Sequence, residues 1–155
     1  MRLSCKSMCL ALALLAAGLP AQAQGPAAVG DLTGQVILVD FWASWCAPCR
    51  RSFPWMNAMQ RKYGADGLQI IGINVDKERA LADEFLAETP AEFELRFDPA
   101  GKLAEAFGVQ AMPSSFLLDA SGNVIATHFG FKTADARGYE REIVEALAHA
   151  EESRP

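Results

Sequence analysis

This chain should form a three-layer α/β domain with a mixed central sheet. Two near-continuous apolar runs rich in β-branched residues, QVILVDFW (35–42) and GLQIIGINV (67–75), read as strands buried on both faces. Each is followed by a helical pattern, the alternation that builds a parallel sheet. Late in the chain, two apolar runs flank Ala120-Ser121-Gly122-Asn123 and read as a hairpin that closes the sheet.

In chain order, the strand over 35–42 leads into a helix from Pro48 to about Lys62. Pro54 should kink that helix by removing a hydrogen bond to the preceding turn. After the second strand, Asp76 can cap a helix over 77–88, with Leu81 and Phe85 sharing a face and Pro90 just past its end. FELRF (93–97) alternates, as a strand with one wet face does. Asp98-Pro99-Ala100-Gly101 turns into a short helix that stops at Gly108. The hairpin takes 114–129, and an amphipathic helix over 139–151 carries Tyr139, Ile143 and Leu147 on one face. No repeat, low-complexity tract or second domain is visible.

Arg2 and Lys6 precede an apolar run over 10–19, and Pro20-Ala21-Gln22-Ala23 ends in the small-x-small pattern of a signal-peptidase site. The run falls short of the ~20 residues that cross a bilayer comfortably. Residues 1–23 are therefore expected to be a secretory signal, 24–34 a lead segment and 35–152 the domain, with a periplasmic location. An uncleaved membrane anchor is the alternative. A lipid-modified cysteine would follow the apolar run, whereas Cys5 and Cys9 lie before it or at its start. The full chain carries a net charge of −5, and losing Arg2 and Lys6 makes the mature chain more acidic still. That composition offers no basic patch for nucleic acid or anionic lipid.

Of four cysteines, export leaves Cys46 and Cys49. An exported protein built on structural disulfides would spread several pairs along the chain. A bond closing so short a loop removes little entropy from the unfolded state and adds little stability. The pair therefore points to chemistry. Cys46 falls at the end of a strand-to-helix turn and Cys49 about one turn into the helix. A thiolate at a helix N-terminus is stabilised by unpaired N–H groups and the positive end of the macrodipole, which makes it a nucleophile at neutral pH. Cys46 would attack a substrate disulfide and Cys49 would resolve the mixed disulfide. Cys49, expected to be the more buried thiol, needs a proton acceptor. Asp40, set in the middle of an apolar strand, is the candidate, because burial raises a carboxyl toward the range of a useful base. A satisfied hydrogen bond to backbone is the plainer use of such an aspartate.

VDFWASWCAPC (39–49), with Pro54 behind it, closely resembles the active-site segment of the thioredoxin superfamily. A distant second motif, GVQAMPSSFLLD (108–119), resembles that family's cis-proline loop. The resemblance covers roughly 31–150. It implies a thioredoxin-like α/β/α fold, with an inserted helix–strand segment before the cis-proline loop. It also implies a cis bond at Met112-Pro113 facing the cysteines, with the backbone of Met112 pairing with a substrate strand. Trp45 would form part of a substrate-facing rim. The long connection over 77–97 and the signal resemble the exported TlpA/ResA/DsbE-type branch. That branch implies reductases without a cofactor or bound metal, expected here as a monomer. They receive electrons through a membrane protein and act on oxidised exported proteins, apocytochrome c or copper-site cysteines among them.

Three departures stand out. Ser114 and Ser115 occupy the place where many haem-maturation members carry a glutamate. Asp76 or Glu78 could supply a further acid, but both read more simply as helix-start residues. Gly72 falls near the lysine that pairs with the buried aspartate in many cytosolic thioredoxins. The lead segment is also short for the branch.

Ala47-Pro48 lacks the histidine that strong oxidants of the superfamily place between their cysteines, so a reductase is favoured over an oxidase or isomerase. A reading of another class is a copper-binding metallochaperone using Cys46, Cys49 and His128 as soft ligands. The plainer use of His128 is as a strand residue, and copper carriers of this superfamily space their cysteines by three. His149 reads as solvated. Peroxide reduction of the peroxiredoxin kind would want a threonine where Ala43 stands, and a module that only bound peptides would not need both cysteines. Trp42 reads as core, and Trp55 has no assigned face.

Overall fold

The computed structural model describes Val29 and residues 32–153. The expected signal at 1–23 and most of the lead segment lie outside the described residues. Strands β1 (Val36–Trp42), β2 (Leu68–Asn74), β3 (Glu94–Phe97), β4 (Ser114–Asp119) and β5 (Val124–Phe129) form one sheet in the order β3-β2-β1-β4-β5. The first three run parallel, and β4 and β5 are added antiparallel. Helices α1 (Ala47–Tyr63), α2 (Arg79–Glu88), α3 (Lys102–Ala106) and α4 (Ala136–Glu152) cover the two faces. This is the expected thioredoxin-like three-layer architecture, with α2 and β3 as the inserted segment. No described helix is long and apolar enough to cross a membrane.

Every residue of β1 is buried, which is why its sequence is apolar rather than alternating. Val36, Leu38 and Trp42 share one core with Phe53 and Met56 of α1, Phe85 of α2 and Ile143 of α4. Ile37, Val39 and Phe41 share the other with Ile71, Ile73, Phe107 and Phe116. In the first core, Trp42 lies 5.0 Å from Phe53 and 4.8 Å from Phe85, ring centre to ring centre.

Several sequence expectations are corrected. Asp76 does not cap α2: the N-cap is Glu78, with no side-chain capping bond, and Asp76 turns back toward β1 instead. Leu81 is 42% exposed, and the buried face of α2 is carried by Ala82 and Phe85. The small Ala82 lets the helix approach closely enough for Phe85 to reach Trp42 and Phe53. The last helix starts earlier than its apolar spacing suggests, at Ala136 after a 3₁₀ turn over Thr133–Asp135. The helix expected from Pro48 to about Lys62 is α1, with Pro54 inside it.

The inserted segment is pinned to α1 by Asn57, whose amide donates to the Pro90 carbonyl and whose oxygen accepts from the Glu92 N–H. It also explains Gly72. A Cβ there would sit 2.8 Å from Phe93 Cε2 and 3.2 Å from Trp42 Nε1. The room a lysine would need beside Asp40 is filled by a ring of the inserted segment.

Candidate active site

The turn from β1 to α1 is held from β2. Asp76, buried at the end of that strand, accepts from the Ser44 N–H at 2.8 Å, the Ser44 hydroxyl at 2.9 Å and the Asn74 amide at 2.8 Å. The Val75 N–H donates to the Trp42 carbonyl and the Cys46 N–H to that of Ala43. This tie places Cys46 as the N-cap of α1, with extended backbone, and its Sγ accepts from the Cys49 N–H at 3.2 Å. Pro48 sits in the first turn, where a helix has no partner for an N–H in any case.

Cys46 and Cys49 form a disulfide with their Cα atoms 5.3 Å apart. Cys49 is fully buried and Cys46 is 2% exposed, so in the oxidised pair the expected difference between the two is slight. Trp45 beside them is 70% exposed. The Met112-Pro113 bond is cis, and Met112 packs against the core cluster that contains both cysteines. Its loop is fixed by the Ser114 hydroxyl donating to the Ala111 carbonyl and by the Gly130 N–H donating to that of Pro113.

Asp40 is 1% exposed. Its Oδ1 accepts from the Ser115 hydroxyl at 2.6 Å, and its Oδ2 has no partner. Burial pushes its carboxyl up to about 7, with the Ser115 bond opposing in part. Gly72, Asp40, Ser115 and His128 stand at one level across four adjacent strands. Ser52, one turn after Cys49 and donating to the Cys49 carbonyl, lines the space around Asp40.

A family model described as Redoxin matches residues 14–146. The chain belongs to the redoxin family. It is 32% identical over 114 residues to the thiol-disulfide oxidoreductase ResA of Bacillus anthracis, covering 73% of this chain and 66% of that protein. To ResA of Bacillus subtilis (strain 168) it is 27% identical over 105 residues, covering 68% and 59%. The chain thus spans slightly less than two thirds of the length of the curated relatives it matches. Among solved structures, it is 51% identical to a provisionally named thiol:disulfide interchange protein DsbE from Chlorobium tepidum, with a TM-score of 0.72 over 74% of this chain and 82% of that one. StoA from Bacillus subtilis shares the fold at a TM-score of 0.62 and 24% identity, over 71% of this chain and 83% of that one. Within the thioredoxin superfamily, this redoxin is ResA/DsbE-like.

His128 is engaged with α4: its Nε2 lies 2.8 Å from Glu142 Oε2 and its ring 4.2 Å from that of Tyr139. Among the described residues, no group of three or more His, Cys, Asp or Glu is placed to hold a metal ion. His149 is largely exposed. A groove of about 910 Å³ runs between the β4–β5 hairpin and the end of α4, past Ile125, Ala146 and His149, and neither cysteine lines it. A smaller hollow beside Trp45, about 250 Å³, is lined by Trp45, Leu81, Arg50 and Glu88. The exposure of Leu81 belongs to this hollow. Sequence reasoning named Asp76 and Ser115 but not their tasks, holding Ser44 and hydrogen-bonding Asp40; it did not single out Glu142, and nothing local marked these partners.

Proposed function

We propose that this redoxin is an exported thiol-disulfide oxidoreductase that reduces disulfides of periplasmic proteins, in cytochrome c maturation or a similar task. The observation that supports it is the Cys46–Cys49 disulfide at the N-terminus of α1, next to the exposed Trp45 and in the core cluster against which Met112 of the cis-proline loop packs. Reduced Cys46, stabilised as thiolate by the helix N-terminus, attacks one sulfur of the substrate disulfide. The other substrate sulfur leaves and takes up a proton. Cys49 gives its proton to Asp40 and attacks Cys46 Sγ, which releases the second substrate thiol and restores the enzyme disulfide. Two electrons have passed to the substrate, and a dithiol on a membrane donor returns them. Met112, with Pro113, offers its backbone to the substrate strand, and Trp45 forms the rim. Ala47 adds no charge that would stabilise the reduced form further, which favours the reducing direction.

The test is the reduction potential of the pair, equilibrated against glutathione and dithiothreitol, together with Cys49→Ala. A value near thioredoxin's, about −270 mV, with mixed disulfides trapped by the variant, supports a reductant. A value near −120 mV, as in DsbA, would reverse the direction to oxidase or isomerase. No trapped adduct would remove the enzymatic reading altogether.

A further inference from the structure

Asp40, if it takes the proton of Cys49 as just proposed, must release it on every cycle, and it is sealed from solvent. A cavity of about 10 Å³ opens beside Asp40 on the face covered by α1 and α4, about the room of one water. Three buried polar atoms with unmet hydrogen-bonding capacity belong to residues that line it: Asp40 Oδ2, Trp55 Nε1 and Glu142 Oε2. A buried water takes two to four polar partners, and this site offers one donor and two carboxylate oxygens.

The groups around the cavity come from every neighbouring element. β1 supplies Asp40, β4 Ser115, β5 His128, α4 Tyr139 and Glu142, and α1 the non-titrating Ser52 and Trp55. Glu142 bridges inside and outside. Its Oε2 is buried, yet its side chain is 41% exposed. His128, 18% exposed, stands 2.8 Å from that oxygen, close enough for an ion pair without hydrogen-bond alignment. We propose that Glu142, working with His128, is the proton outlet of the redox pair, passing the proton of Asp40 to and from solvent through one water held in this cavity.

The step balances within the proposed cycle. Cys49 thiol gives its proton to Asp40 and its sulfur pair to Cys46. The proton then moves from Asp40 through the water to Glu142 and out, while the substrate thiolate that left takes one from solvent. Re-reduction by the donor dithiol runs the route inward.

Glu142→Gln keeps the shape and removes the proton carrier, and Glu142→Asp keeps the carrier one methylene shorter. Two readouts are needed on the full protein. The first is hydrogen–deuterium exchange of the protonated Asp40 carboxyl, followed by its infrared C=O band after mixing into heavy water at mildly acidic pH. The second is single-turnover oxidation of the reduced protein by a small disulfide at neutral pH. A positioned proton-transfer group contributes roughly 10²–10⁴-fold, so Glu142→Gln should slow both by at least about tenfold, with Glu142→Asp recovering most of the loss. Wild-type exchange rates in Glu142→Gln would overturn the outlet, as would equal slowing in both variants, which marks a packing role. Because the infrared readout needs no turnover, slowed exchange in a protein that reduces no disulfide would sustain the outlet and overturn only the enzymatic reading.

Discussion

Asp40 is held by the fold in its protonated form and needed by the proposed chemistry in its ionised one. With its carboxyl raised from 3.8 to about 7, the folded protein keeps a proton that the unfolded chain has already released across that window. Stability therefore falls as pH rises from about 4 to about 7 and levels off above. At 1.36 kcal/mol per pKa unit the full effect is about 4 kcal/mol. Asp40→Asn should remove it. Thermal unfolding of the oxidised protein should show the variant more stable than wild type at pH 8 by up to that amount, the two converging toward pH 4. A gap of equal size at both pH values would mean that the carboxyl is ionised throughout. Asp40 was legible in the sequence because a carboxylate inside an apolar strand is costly unless it has a task. Its partner was not. Ser115 lies 75 residues away, and only the β1–β4 register brings it to Asp40.

Between strand and helix, the decisive part is the short turn before Cys46, and its anchor is Asp76. Replacing Asp76 by Ala strands the buried Asn74 amide and the half-buried Ser44 N–H. A buried unpaired donor costs about 1–3 kcal/mol and a half-buried one less, so Asp76→Ala should lose roughly 2–4 kcal/mol, measured by denaturant unfolding of the oxidised protein. A loss under 1 kcal/mol would show that the turn finds other acceptors. An acid just before a helical pattern looks like a cap, since that is its commonest local use. The alternative, reaching across to a neighbouring strand's exit, leaves no mark in nearby residues. The same limit applies to Leu81. Four-residue spacing from Phe85 named a face, but the close approach of Ala82 and the hollow beside Trp45 decided which side met the core.

The sheet divides the protein into two cores of unequal duty. Cys46, Cys49 and the ring cluster of Trp42, Phe53 and Phe85 share one side. On the other, Phe107 packs 5.2 Å from Phe41 and 5.0 Å from Phe116, ring centre to ring centre. Phe107→Ala should cost about 3–5 kcal/mol in unfolding while leaving the Cys46–Cys49 potential unchanged. A shifted potential would mean that the sheet transmits packing strain to the cysteines. The strands and their order of appearance were legible because β1 and β2 are buried on both faces and so read as unbroken apolar runs. The meeting of residues 40, 115, 128 and 142 was not, since it depends on how β1, β4, β5 and α4 are laid side by side. Of three tryptophans, Trp42 is sealed in the core, Trp55 lies partly buried against Phe131 and Tyr139, and Trp45 alone stands mostly in water, next to the disulfide. Its fluorescence is thus the red-shifted part of the emission and the part that a docking substrate would meet, so the protein carries its own optical gauge of substrate docking without any added label.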